Sequence, residues 1–126
     1  MHENEISYLI RGAIFKVYNE LGAGLLESVY EKAMAYQLIQ DGCEVHSQVP
    51  VPAYYNGIKL EDIGFRADLI VNQKVLIEIK SVEALHDVHF KQVTTYLKLT
   101  GLKLGILVNF NTASIDKEIH RIVNRL

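Results

Sequence analysis

The sequence predicts an α/β fold in which helices flank one mixed central β-sheet, in the order α-α-β-β-β-β-α-β. Two observations lead to this prediction. Apolar residues recur every three to four positions over residues 4–21, 25–41 and 86–100, the period of amphipathic helices. Short stretches rich in β-branched residues, such as 74–81 and 103–110, are typical of buried strands. Helices and strands that follow one another along the chain in this order pack in layers around a single core.

Length and composition indicate one globular domain spanning residues 1–126. The chain is 49% hydrophobic and 22% charged, which is the balance of a folded domain and not of a disordered chain. Its one cysteine, Cys43, excludes an internal disulfide and suits a reducing compartment. No apolar run approaches the roughly 20 residues of a membrane span, and residues 1–8 lack the pattern of a signal peptide. We therefore expect a cytoplasmic protein that does not enter a membrane.

Two helices should begin the chain, separated at the glycine-rich residues 21–24. Each helix carries apolar residues at spacings of three and four, which should face the core. In the first helix these residues are Ile6, Ile10, Ala13, Val17 and Leu21. In the second helix they are Leu26, Val29, Tyr30, Ala33 and Met34.

Strands should follow from residue 44 onwards. Residues 44–61 alternate in polarity and contain both prolines, Pro50 and Pro52, which is typical of an edge strand. Asn56-Gly57 is a strong signal for a hairpin turn. At the other end of the chain, residues 114–126 fit either a short helix or a final strand.

The strands at 64–71 and 74–81 should pair antiparallel, and the strand at 103–110 should run parallel to 74–81 after a helical crossover. A three-residue loop would pair Leu69 with Ile77, and hence Asp68 with Glu78. The strand residues Ala67, Leu69, Val71, Val75, Ile77 and Ile79 would then share one apolar face. A two-residue loop would mix an acid into that face, so hydrophobic pattern favours the longer loop. That loop requires a left-handed or bulged conformation at Asn72 or Gln73.

This register places two carboxylates and one ammonium group together. Directly opposed side chains have Cβ atoms about 4.5–5.5 Å apart, so Asp68 and Glu78 would repel each other unless a cation lies between them. Lys80 is one candidate, and a magnesium ion with oxygen ligands is the better one. By itself, a Glu-x-Lys pair on a strand is more often a solvated face or a structural ion pair.

Four short motifs occur in the order of a known family. Asp68, nine residues and then "EIK" (78–80) resemble the PD-(D/E)xK nuclease signature, although Ala67 replaces the proline of that motif. "GLLESVY" (24–30) is similar to the G-x-x-E-x-x-Y motif of the GxxExxY-type proteins. "QVTTY" (92–96) resembles the Q-x-x-x-Y motif of the RecB-like branch. Each motif is weak alone, but the four in order make a specific signal.

The resemblance implies a restriction-endonuclease-like core that hydrolyses phosphodiester bonds with Mg²⁺ or Mn²⁺. Asp68, Glu78 and the Ile79 carbonyl would bind the metal, and Glu27 would be an additional ligand or would hold a metal-bound water. Lys80 would orient the attacking water. The two remaining motif residues, which would support the site or contact the phosphate, are Gln92 and Tyr96.

The charge distribution adds a modest basic surface. Residues 88–126 contain six Lys/Arg and two Asp/Glu, a pattern compatible with a nucleic-acid partner. We expect His89, Lys91 and Lys98 to contact nucleic acid, DNA rather than RNA. A solvated face explains the charge alone equally well. The alternative function is a non-catalytic module that binds nucleic acid or protein on a nuclease fold, and a homodimer or a partner protein is a further expectation.

Overall fold

The computed structural model describes residues 1–126 as three α-helices, seven strands and a 3₁₀ turn at Ile115–Glu118. The helices are α1 (Glu3–Leu21), α2 (Glu27–Gln40) and α3 (Asp87–Thr100). The strands are β1 (Val45–Pro50), β2 (Tyr54–Tyr55), β3 (Ile58–Lys59), β4 (Arg66–Val71), β5 (Val75–Lys80), β6 (Leu104–Asn109) and β7 (Ile119–Val123). None of the three helices combines the length and the apolarity that a membrane crossing needs.

Five strands form the central sheet in the order β1-β4-β5-β6-β7, and β2 pairs with β3 in a separate hairpin. β5 and β6 run parallel, whereas the other neighbours in the sheet are antiparallel. The predicted α/β fold with a mixed sheet flanked by helices is therefore confirmed. The hairpin turns at Asn56-Gly57, as predicted, and β1 is an edge strand that ends at Pro50.

The predicted order of elements needs one correction, and the structure decides one open alternative. Five strands precede α3 instead of four, because residues 44–61 divide into β1 and the β2–β3 hairpin. Pro50 and Pro52 lack an N–H and cannot donate to a strand ladder, which explains why β1 does not continue. The tail, which fitted either a helix or a strand, forms the 3₁₀ turn and then the edge strand β7.

Helices cover both faces of the sheet. One core layer joins α1 and α2 to Leu69, Val75 and Ile77. The other layer joins α3 to Leu76 and Leu107. Because β5 contributes to both layers, its residues Val75 to Ile79 are all buried. A charged side chain on β5 therefore lies next to the apolar core, where the dielectric constant is low.

The buried side of α2 differs from the predicted one. Tyr30, Met34 and Leu38 are fully buried at a spacing of four, whereas Leu26 is 74% exposed and Val29 is 40% exposed. Leu26 has extended backbone angles and precedes the first turn of α2, so it lies outside the helical stripe. Val29 lies beside the stripe and not on it. The prediction that these two residues face the core was wrong.

The register of β4 and β5 is the predicted one. Leu69 pairs with Ile77 and Val71 with Val75, across a three-residue loop. Asn72 and Gln73 both have left-handed backbone angles, with φ values of 52° and 57°. Hydrophobic pattern was thus sufficient to choose the register, since a slip by one residue would have moved buried residues to the other face.

Replacing Gly105 by Ala should destabilise the fold by about 1–3 kcal/mol. Gly105 lies in β6 where α3 crosses, and a Cβ atom built on it would be 2.6 Å from the Val93 Cγ1 atom. Urea unfolding measures this loss. The matched control is Gly12→Ala in α1, where a Cβ meets nothing within 4 Å; it should stabilise the helix by up to about 1 kcal/mol. Equal stability of the two variants would contradict this packing.

Candidate active site

Strands β4 and β5 separate where the two predicted acids lie. Their pairing ends at Leu69 and Ile77, although β5 stays paired with β6 through Lys80. Beyond this point the Asp68 Oδ2 atom accepts a hydrogen bond from the Ile79 N–H at 2.8 Å. The Glu78 Oε1 atom accepts one from the Asp68 N–H at 3.1 Å. The two carboxylates thus accept hydrogen bonds from backbone N–H groups where the ladder between the strands has ended. We call this place, where β4 and β5 separate around Asp68 and Glu78, the strand fork.

The strand fork also changes the direction of Ala67. The expected alternation placed Ala67 on the face of Leu69, but Ala67 packs with Leu76 in the core layer under α3. Alternation holds only while a strand keeps its regular pleat. The interlocked side chains of Asp68 and Glu78 interrupt the ladder between Ala67 and Leu69, so the prediction for Ala67 was wrong.

The carboxylates of buried Glu78 and half-buried Asp68 hold protons more tightly than usual. Burial, together with the smaller effect of the Asp68 charge, raises the pKa of Glu78 to about 8. Burial also raises the pKa of Asp68, against the lowering effect of the Ile79 N–H and the Lys80 charge. The four ion pairs within 4.0 Å involve other residues, so Lys80 does not contact either acid directly. A closely held cation would lower both pKa values.

The donor atoms in the strand fork are those that magnesium prefers. A strand residue directs its N–H and its C=O to the same side. The Ile79 N–H faces Asp68, and the Ile79 carbonyl therefore faces the fork as well. Two carboxylates and one carbonyl fit a hard divalent cation completed by water. No three His, Cys, Asp or Glu side chains come together as a metal-binding group.

Glu27 is tied to the end of β5. Its Oε2 atom accepts a hydrogen bond from the Ser81 N–H at 3.2 Å, and the Ser81 hydroxyl donates to the Leu25 carbonyl at 2.6 Å. The Tyr30 hydroxyl donates to the Gly22 carbonyl and accepts from the Leu25 N–H. Tyr30 therefore positions the turn that carries Glu27. The charge of Glu27 raises the pKa values of both strand-fork acids, so it acts on them electrostatically; its role as a ligand stays a prediction.

The predicted site residues on α3 hydrogen-bond within the helix and its cap. The Gln92 side-chain amide donates to the Tyr96 hydroxyl at 3.2 Å, and Tyr96 is only 5% exposed. Burial and the nearby Lys80 charge lower the pKa of His89. The His89 Nδ1 atom accepts a hydrogen bond from the His86 N–H. None of these side chains donates to a carboxylate of the strand fork. That Gln92 and Tyr96 support the site or contact the phosphate stays a prediction.

The two predicted lysines of α3 lie apart from one another. Both Lys91 and Lys98 are exposed. Lys98 is in the last turn of α3 and lines a cavity with Lys103 and Arg125. Since His89 is in the first turn, the structure does not bring Lys98 to the strand fork. Its contact with nucleic acid stays a prediction.

Sequence reasoning missed three residues that contact the site or its loops. The Gln48 amide donates to the Glu31 Oε1 atom at 2.7 Å and to the Asp68 Oδ1 atom at 3.4 Å. Burial raises the pKa of Glu31. Asn109 is fully buried and hydrogen-bonds both the N–H and the carbonyl of Val82, just after β5. No motif marks these residues; the only hint was polarity at the end of an otherwise apolar strand for Asn109.

A mixed sheet with helices on both faces and two acids in a strand fork is the restriction-endonuclease-like fold. A family model of the PD-(D/E)XK nuclease superfamily matches residues 4–122. The chain belongs to this superfamily. A search of curated proteins and a search of solved structures each found no match.

Proposed function

We propose that this chain is a nuclease that hydrolyses phosphodiester bonds with a divalent cation, Mg²⁺ or Mn²⁺, held in the strand fork. The observation that carries the proposal is the pair of acids, half-buried Asp68 and buried Glu78, interlocked where β4 and β5 separate. A buried carboxylate with a pKa of about 8 costs stability at neutral pH unless a cation compensates it. Membership of a nuclease superfamily supports the same conclusion.

The cation, when bound, would polarise a phosphoryl oxygen and make a water more acidic. Asp68, Glu78 and the Ile79 carbonyl would hold it. Lys80 is the last residue of β5, and alternation along the strand places its side chain on the same face as Glu78. There its ammonium group can orient a water or attract a phosphate oxygen. Glu27 stays available at the mouth of the site, bonded to the Ser81 N–H.

An open site suits a polymer as substrate. Neither Asp68 nor Glu78 lines any of five surface cavities of about 330–520 Å³. A small-molecule site would normally be an enclosed apolar pocket with a few polar groups. We propose DNA as the substrate in preference to RNA, with His89 and Lys91 near the site and Lys98 farther along α3.

Several finer parts of the proposal rest on motifs alone. "GLLESVY" (24–30) supports placement among the GxxExxY-type proteins, and "QVTTY" (92–96) supports the RecB-like branch. A single domain over residues 1–126, a cytoplasmic location and a homodimer or partner protein stay predictions. A non-catalytic binding module on this fold is the competing function; it gains nothing from two adjacent, mutually repelling carboxylates.

Cleavage of nucleic acid by the wild-type chain tests the proposal. Supercoiled plasmid, single-stranded DNA and RNA are incubated with Mn²⁺, and at least one of them should be cut. Lys80→Ala should reduce the rate by about 100-fold, since it removes a charge that acts on the phosphate. The matched control is Lys74→Ala at the other end of β5, where the side chain donates to the Met1 carbonyl; its rate should equal that of wild type. No cutting of any substrate, or equal rates for wild type and Lys80→Ala, would refute the proposal.

A further inference from the structure

Gln48 has an unusual backbone conformation next to the strand fork. Its φ of 51° lies in the left-handed region, although it is in the middle of β1. The pairing of β1 with β4 runs from Ser47 with Leu69 to Val49 with Ala67 and skips Gln48. Residues other than glycine adopt such angles at an energetic cost, which is accepted mainly at turns and functional sites.

The left-handed backbone directs the Gln48 side chain between two carboxylates. Its amide nitrogen donates to the Glu31 Oε1 atom at 2.7 Å and to the Asp68 Oδ1 atom at 3.4 Å. A primary amide nitrogen carries two protons, so one group can serve both acceptors. The shorter bond to Glu31 anchors the amide on α2, and the longer bond reaches Asp68 on β4.

Both oxygens of Asp68 are then held from different directions. The Oδ2 atom is fixed by the Ile79 N–H on β5, and the Oδ1 atom is approached by Gln48 on β1. Free rotation of the Asp68 carboxylate would break at least one of these contacts. Groups that orient a metal ligand in this way commonly change metal affinity by about 10–100-fold when they are removed.

We infer that Gln48 is a positioning residue, whose amide, anchored by Glu31, presets the orientation of the Asp68 carboxylate for cation binding. This inference rests on the proposed function. Gln48 acts through Asp68 and does not itself contact the reacting atoms. Its backbone strain is explained by this task, because a regular strand conformation would direct the side chain away from the gap between α2 and β4.

Another glutamine provides a matched control for a purely structural role. Gln73 also has a left-handed backbone, with φ of 57°, and its amide donates to the Glu44 Oε2 atom at 3.0 Å. It lies in the loop between β4 and β5, at the opposite end of these strands from the fork. The same substitution at Gln73 therefore removes the same kind of bond and relieves the same backbone strain without touching Asp68.

The test compares Gln48→Gly with Gln73→Gly. Glycine suits a positive φ, so neither variant should have a lower melting temperature than wild type. Mn²⁺ affinity, measured by titration calorimetry, should fall by about 10-fold in Gln48→Gly and stay unchanged in Gln73→Gly. Crystals of metal-free Gln48→Gly should show the Asp68 carboxylate rotated from its wild-type orientation.

The inference can be overturned in two ways, one of which leaves the proposed function intact. Wild-type Mn²⁺ affinity in Gln48→Gly, or an unmoved Asp68 carboxylate in its metal-free crystals, refutes the role of Gln48 and leaves the proposed function intact. Failure of the wild-type chain to bind Mn²⁺ refutes the proposed function, and the inference with it.

Discussion

Asp68→Asn should abolish most nuclease activity while leaving the metal-free fold at least as stable as wild type. The asparagine keeps the size of the side chain and an oxygen that can accept from the Ile79 N–H. It removes the negative charge that a divalent cation needs, and that charge also raises the pKa of Glu78. Loss of a metal ligand of this kind should slow cleavage by at least about 100-fold.

Plasmid cleavage and thermal unfolding, measured on the same preparations, test this prediction. Asp62→Asn is the matched control, because Asp62 is exposed in the loop before β4 and does not contact the strand fork. It should cut like wild type. A clear drop in the melting temperature of Asp68→Asn would show that the acid supports the fold instead of the chemistry. Cleavage at the wild-type rate would show that Asp68 is not a metal ligand.

The metal-free protein should lose stability as the pH rises from about 6.5 to about 8. Glu78 has an ordinary pKa of 4.5 when unfolded and a pKa of about 8 when folded. Within this window the folded chain binds a proton that the unfolded chain has released, so the free energy of unfolding falls with pH. The raised pKa of Asp68 acts in the same direction. The loss should be about 2 kcal/mol, at 1.36 kcal/mol per pH unit.

Urea unfolding at several pH values measures this slope. The window begins at about pH 6.5 because the lowered pKa of His89 has the opposite effect below the ordinary pKa of histidine. Glu78→Gln should make the profile nearly flat, and saturating Mn²⁺ should flatten the wild-type profile by holding both carboxylates ionised. A wild-type stability that rises with pH, or the same slope in Glu78→Gln, would contradict the electrostatics of the strand fork.

Much of the fold follows from local pattern. Hydrophobic alternation chose the pairing of Leu69 with Ile77, since the register with a two-residue loop mixes an acid into the apolar face. Asn56-Gly57 marked the hairpin, and α3 ends at Thr100, as the helical period over residues 86–100 indicated. The positions of Asp68 and Glu78 next to each other followed directly from that register.

The rest depends on contacts between distant elements. Gln48 and Glu31 meet Asp68 only because the β1 backbone turns left-handed at Gln48 and α2 packs beside it, and no local pattern marks a left-handed glutamine within a strand. Ala67 changes face because two side chains interrupt the ladder, which alternation cannot foresee. Leu26 and Val29 were assigned to the core by their apolarity alone, yet burial depends on where α2 begins relative to the sheet.

Calorimetric titration of the wild-type chain with Mn²⁺ at about pH 7 tests the strand fork most directly. In buffers of different ionisation enthalpy, the measured heat should show one Mn²⁺ bound per chain with release of about one proton. The proton comes from Glu78, which is mostly protonated at this pH because its pKa is about 8. Absence of binding, or binding without proton release, would contradict a metal site formed by Asp68 and Glu78.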